Sequence, residues 1–136
     1  MASVSDKKIL VINSASDVRA QIHENLEMEG FNHIDESADA LSAIRKLGQA
    51  SYDLIITDIH LTQLDAWQLI QLVRSNTLNA NSHTKILVLS STYTQNITDA
   101  TAKALGADGS AHTDQLELLG EITANLVSSQ EDTISK

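Results

Sequence analysis

Cysteine and proline are both absent from this 136-residue chain, and basic residues are few. Without cysteine there is neither a disulfide scaffold nor a thiol nucleophile. No apolar run is long enough to read as a membrane span and no signal-peptide pattern is present, so a cytoplasmic location is the default expectation. Nine Lys and Arg stand against eighteen Asp and Glu, a formal net charge of −9. The bases are scattered, so phosphate backbones and anionic lipid surfaces meet net repulsion without a basic patch, and direct binding to nucleic acid or membrane is not expected. The length suits one soluble domain that buries a core without staples.

The chain is organised around the stretch from Tyr52 to Trp67. Leu54 to Ile56 is a short run of large apolar residues between polar ones, the pattern of a strand buried on both faces, and it leads to a carboxylate at Asp58. In open parallel α/β sheets the ligand crevice lies outside the carboxyl ends of the strands, which makes Asp58 the expected place for chemistry.

Residues 1–6 form a polar lead-in, and Lys7 to Ile12 reads as a β-branched first strand that runs into Asn13 and Ser14. Val18, Ile22 and Leu26 then fall on one helical face ending at Gly30, and Ser14 with Asp17 has the spacing of a capping box. Phe31 to Glu36 suits a short second strand. Ser37 opens a second helix with Ala40, Leu41, Ile44 and Leu47 inward, stopped at Gly48. After the third strand, Asp65 and Gln68 have capping spacing for a helix with Leu69, Ile70 and Val73 inward, and 76–83 is polar loop. Lys85 to Ser90 is the strongest strand signal, with Ser91 following it. Asn96 and Asp99 suit a fourth helix with Ile97, Ala100, Thr101, Ala104 and Leu105 on its inner face, closed by Gly106. Gly109 to His112 is a short fifth strand. Asp114 with Glu117 caps a final helix carrying Leu116, Leu119, Ile122 and Leu126, and 128–136 is a polar tail or linker. Five strand signals alternating with five helix signals predict a parallel sheet with helices on both faces, because parallel strands need right-handed, mostly helical crossovers.

Five blocks, in order, resemble those of a CheY-like response regulator receiver domain: Ile9 to Arg19 (ILVINSASDVR), Tyr52 to Asp58 (YDLIITD), Asp65 to Trp67 (DAW), Ile86 to Ser90 (ILVLS) and Leu105 to Gly109 (LGADG). The resemblance covers residues 7–127 and implies a flavodoxin-like, doubly wound five-stranded sheet of order 2-1-3-4-5. It also implies phosphoryl transfer from a histidine kinase or phosphotransfer protein onto Asp58. In that scheme Mg²⁺ is held by the phosphoacceptor, by acids after the first strand and by the backbone carbonyl at His60. A hydroxyl at Ser90 and a lysine after the fifth strand then bind the phosphoryl group and shift the surface of helix four, strand five and helix five. The polar tail further suggests a longer protein with a fused or separate output or kinase domain.

The chain departs from the pattern at the chemistry. Asn13 and Ser14 replace the paired acids, Thr113 the lysine and Asp114 the proline after it. Thr62 and Ala66 replace the proline and glycine of the loop that follows Asp58, and Ser110 stands at the aromatic switch position. One carboxylate of three predicts weak Mg²⁺ binding, with no cofactor tightly bound. Loss of the lysine removes a fixed charge for the phosphoryl oxygens and predicts slow phosphorylation.

Simpler roles compete for several of these residues. Asp58 also fits a strand-end surface acid, Ser14 a helix cap, Ser90 a turn-forming serine and Trp67 a packing residue. Asp58, His60 and His112 near one rim are a candidate transition-metal group. Ala100, Ala104, Ser110 and Ala111 suit either a flat partner surface or ordinary tight packing. Two function classes follow: a phosphoacceptor receiver, and a phosphorylation-independent interaction module or pseudo-receiver. A small metal-binding or hydrolytic α/β domain is a distant third, since no glycine-rich phosphate loop, nucleophile elbow or paired carboxylates occur, and the chain is not expected to be an enzyme beyond self-catalysed transfer to Asp58.

Overall fold

The computed structural model describes residues 4–75, 77–78, 81–90 and 99–134, except for the side chains of 99 and 129–134. Its strands are β1 (Lys8–Ile12), β2 (His33–Ser37), β3 (Leu54–Asp58), β4 (Lys85–Ser90) and β5 (Gly109–His112), and its helices are α1 (Ser16–Glu29), α2 (Ala40–Gln49), α3 (Ala66–Arg74), α4 (Asp99–Ala104) and α5 (Leu119–Ile134). All strand pairs are parallel, in the order β2-β1-β3-β4-β5. This is the flavodoxin-like, CheY-like arrangement expected from the sequence.

Period-two alternation sorts the strand side chains into two cores. Leu10, Ile12, Ile55, Ile86 and Val88 meet α2, α3 and Ala102 of α4 on one face. On the other, Ile9, Val11, Leu54, Ile56, Leu87 and Leu89 meet α1 and α5 through Ile22, Leu26, Leu119 and Val127. Each such side chain contributes about 1.5–3 kcal/mol when fully buried, so the central strands are the most firmly held part of the sheet.

Helix α3 begins as the sequence predicts, with Asp65 and Gln68 forming a reciprocal capping box. Gly30 ends α1 at a φ of 110°, and Gly106 closes the turn after α4 at 104°. Other boundaries differ. Ser14 is exposed and does not cap α1; Ala15 occupies the cap position, and the Asn13 side chain accepts the Ala15 N–H at 2.9 Å instead. Ser37 ends β2, and Asp39 caps α2 by accepting the Ser42 N–H. Gly48 lies inside α2, whose buried face is Ala40, Ala43 and Leu47, while Leu41 is 55% exposed.

In α4 the inward residue is Ala102; Ala100, Thr101, Ala104 and Leu105 are exposed, and Asn96 and Ile97 lie outside the described residues, as does Ser91. Asp114 and Glu117 do not cap α5. A 3-10 turn over Thr113–Leu118 intervenes, opened by the His112 Nδ1 accepting the Asp114 N–H, and α5 continues past Ser128 to Ile134 where a polar tail was expected.

Two polar side chains tie the loops to this frame. Arg74 donates to the carbonyls of Ser82, Thr84 and Gly106 and pairs with Asp108. Asn81 is fully buried: its Oδ1 accepts the Tyr52 N–H at 2.8 Å, and its Nδ2 donates to the carbonyls of Leu47, Ala50 and Leu78. Asn81→Ala is expected to destabilise the protein by about 3 kcal/mol, because a buried N–H and its neighbouring carbonyls lose their partner at about 1–3 kcal/mol each. A urea midpoint that falls at unchanged m-value checks this, and an unshifted midpoint contradicts it.

Candidate functional site

The parallel register brings the carboxyl ends of the strands to one rim. Ile12 pairs with Thr57, Asp58 with Leu89, and Ser90 with His112. Asn13 therefore leaves β1 beside Asp58 at the end of β3, Ser90 ends β4, and Thr113 follows β5.

Asp58 is half-buried. Its Oδ1 accepts the Ile59 N–H at 2.8 Å, and the His60 N–H bonds to it as well. Burial pushes its carboxyl above the ordinary aspartate value, and the two N–H groups together with the His60 imidazole pull it back only in part. No lysine or arginine pairs with it among the described residues. The Thr57 hydroxyl donates to the Asp58 carbonyl at 3.0 Å, which fixes the backbone where β3 ends.

Asn13 is 4% exposed, and its side-chain oxygen is engaged by the Ala15 N–H. Ser90 is buried, and its hydroxyl lies 3.5 Å from the Ala111 carbonyl, at the outer limit of a hydrogen bond. Thr113 is half-buried at the start of the 3-10 turn, whereas Ser14 and His60 face solvent. Ser110 lies within β5, away from the rim, beside a cavity between β5 and α5. Asp58, His60 and His112 do not gather: no three His, Asp or Glu residues among those described are placed to hold a metal ion.

One network that periodicity does not reveal supports the rim from behind. The Arg19 guanidinium donates to the Asn13 carbonyl at 2.6 Å and to Glu36 at 3.2 Å, and Glu36 also bonds His23 at 2.8 Å. The helical spacing of Arg19 and His23 places them on one side of α1, but only the fold shows that β2 brings Glu36 to them. Lys46 donates to the Glu36 carbonyl, so α2 joins the same tie.

Comparison with known proteins agrees with this geometry. The model of the response regulator receiver domain family matches residues 9–112. Chemotaxis protein CheY-3 of Vibrio cholerae is 28% identical over 69 residues, which are 51% of this chain and 53% of that protein. The match thus spans about half the length of this curated relative. The structure of chemotaxis response regulator CheY4 of Vibrio cholerae superposes with a TM-score of 0.70 at 24% identity, over 89% of this chain and 98% of that one. The Francisella response regulator 1452 receiver domain gives 0.72 at 20% identity, over 93% and 99%. A CheY-like receiver domain protein of Methanospirillum hungatei gives 0.73 at 19%, over 93% and 98%. At these identities the structural likeness is one of fold, and the family follows from the match over residues 9–112. With no membrane-spanning helix among the described residues, this chain belongs to the response regulator receiver domain family of two-component signalling.

Proposed function

We propose that Asp58 is the phosphoacceptor of this receiver, served by a histidine kinase or phosphotransfer protein, and that transfer onto it is slow. The observation that carries the reading is the half-buried Asp58 carboxylate at the carboxyl end of a central strand, held by the N–H groups of the two residues that follow it. A carboxylate oxygen attacks the donor phosphorus. The P–N bond of a phosphohistidine, or the P–O bond of acetyl phosphate, breaks with its electron pair staying on the leaving group, and an acyl phosphate forms on Asp58.

The rim does not fit a resident Mg²⁺. That ion needs near-octahedral oxygen ligation and is held by one or two carboxylates plus phosphate oxygens. Here Asp58 is the single acid of the rim among the described residues, the Asn13 oxygen is already engaged, and Ser14 faces solvent. With Thr113 in place of a lysine, developing charge on the phosphoryl oxygens meets no lysine or arginine among the described residues, which accounts for the slow transfer. On this reading the chain is no enzyme beyond self-catalysed transfer to Asp58. A second reading, the phosphorylation-independent interaction module, is favoured by one observation: the Asn13 amide is spent on the backbone of its own loop.

Intact mass after incubation with acetyl phosphate and Mg²⁺ separates the two. The wild type is expected to gain phosphate slowly, and a wild type that never gains it fits the interaction module. Asn13→Asp and Ser14→Asp combined with Thr113→Lys should raise the rate about tenfold or more, equivalent to about 1.4 kcal/mol or more of barrier. The acids supply ligands and the lysine offsets their charge, so neither the acid pair nor the lysine alone should suffice. If the wild type already matches the triple variant, or if Asp58→Asn still takes up phosphate, the assignment fails.

Burial of Asp58 also sets a pH dependence. Only the ionised carboxylate attacks, so the acid limb of the rate should lie at higher pH than an ordinary aspartate would give. For stability the sign is opposite to that of a salt-bridged acid. A folded-state value above the unfolded one adds stability below the unfolded value and loses it as pH rises through the folded one. Asp58→Asn should therefore melt higher than wild type at neutral pH, with the difference vanishing on acidification to about pH 3. Equal melting temperatures throughout would remove the claim of a costly carboxylate.

A further inference from the structure

A cavity of about 260 Å³ opens between β5, α4 and α5. Leu87, Ile122 and Leu126 form its apolar wall, and Lys103, Ser110 and Asn125 bring polar groups to it. Its space comes from small residues in β5. A Cβ built on Gly109 would lie 3.6 Å from the Leu87 Cδ1 and 3.9 Å from the Leu126 Cδ2, ordinary contacts, so crowding does not force glycine here. Ser110 lines the cavity beside it.

The surrounding charge is unusual for a chain of net charge −9. Asp108 lines the cavity, but its carboxylate is already held by Arg74 at 3.0 Å and by the Ile86 N–H at 2.9 Å, with the Lys85 ammonium at 3.8 Å. Lys103 pairs with no acid among the described residues. Arg74 and Lys85 thus neutralise the one carboxylate of the lining, which leaves the Lys103 ammonium as the lining charge without an acid partner among the described residues, an arrangement that favours an anion. Drug-sized ligands occupy pockets of about 300–1,000 Å³, so the smaller volume here suits a single ring.

We propose that this cavity binds a small aromatic carboxylate, its ring against Leu87, Ile122 and Leu126 and its carboxylate toward the Lys103 ammonium. The proposal does not depend on phosphorylation of Asp58.

The test is an amide NMR titration of the whole chain with sodium benzoate. Saturable shifts are expected at Gly109, Ser110, Asn125 and Leu126, with a dissociation constant of about 1–10 mM for so small a ligand. Benzyl alcohol, which has the ring without the charge, and acetate, which has the charge without the ring, should each bind more weakly. Lys103→Gln should weaken benzoate about threefold, the scale of a solvent-exposed charge contact. Gly109→Ala adds one methyl between the two leucines; it should weaken benzoate while melting no lower than wild type. The proposal is overturned if those amides do not saturate, if benzyl alcohol or acetate binds as tightly as benzoate, or if neither variant changes the affinity. Tighter binding of N-acetylphenylalaninamide would also overturn it, pointing to a peptide side chain as the occupant.

Discussion

The parallel pairing of β1, β3 and β4 is the constraint on which the rim depends. Leu54 to Thr57 are fully or almost fully buried, and hydrophobic burial on both faces fixes their positions far more firmly than any polar contact at the strand end could. Asp58 is carried to its half-buried position by that anchoring, against the preference of its charge for water. The register then decides its neighbours. Because Ile12 pairs with Thr57, the residue after β1 comes beside the residue after Thr57, and a slip of one position would also turn every apolar side chain to the opposite core.

Behind the rim, Arg19 converts that placement into a fixed loop. Its guanidinium satisfies the Asn13 carbonyl while Glu36 of β2 holds it from the other side, so β1, α1 and β2 meet through one planar fork of donors. Arg74 has the equivalent part at the opposite end of the sheet, joining α3 to the loops before β4 and β5. Arg74 bonds mainly to backbone carbonyls, and Arg19 divides its bonds between the Asn13 carbonyl and Glu36. Their net contribution is therefore the satisfaction of partly buried acceptors, which surface ion pairs do not provide.

Strands and long amphipathic helices were legible in the sequence because burial on both faces leaves continuous apolar runs and burial on one face leaves a 3.6-residue period. β4 and β5 have their expected bounds. Caps were legible only where both halves of the device are present: Asp65 with Gln68 works reciprocally, whereas Ser14 with Asp17 matches in spacing and makes no such bonds. Asn13 instead accepts the N–H of Ala15, the cap residue itself, in an Asx turn that leads into the helix. In α4 the alanines are too alike for a period to be read, so the buried Ala102 could not be told from the exposed Ala100 and Ala104. Arg74, Arg19 and Asn81 were missed because a polar residue that bonds to carbonyls distant in sequence leaves no local pattern.

The rim separates what the fold needs from what the chemistry needs. At position 13 the fold requires an oxygen that accepts the Ala15 N–H, and asparagine supplies it without charge, so the loop survives the loss of an acid. Position 58 is the reverse. An asparagine there would accept the Ile59 N–H as well as aspartate does and would avoid the desolvation that raises the carboxyl. Packing gives no reason for a negative charge at that point; no lysine or arginine pairs with it among the described residues, and the His60 imidazole offsets the burial only in part. A carboxylate whose charge costs stability, and whose hydrogen bonds an amide oxygen could accept equally well, supports the proposed reading of Asp58 as a nucleophile over a mere strand-end acid.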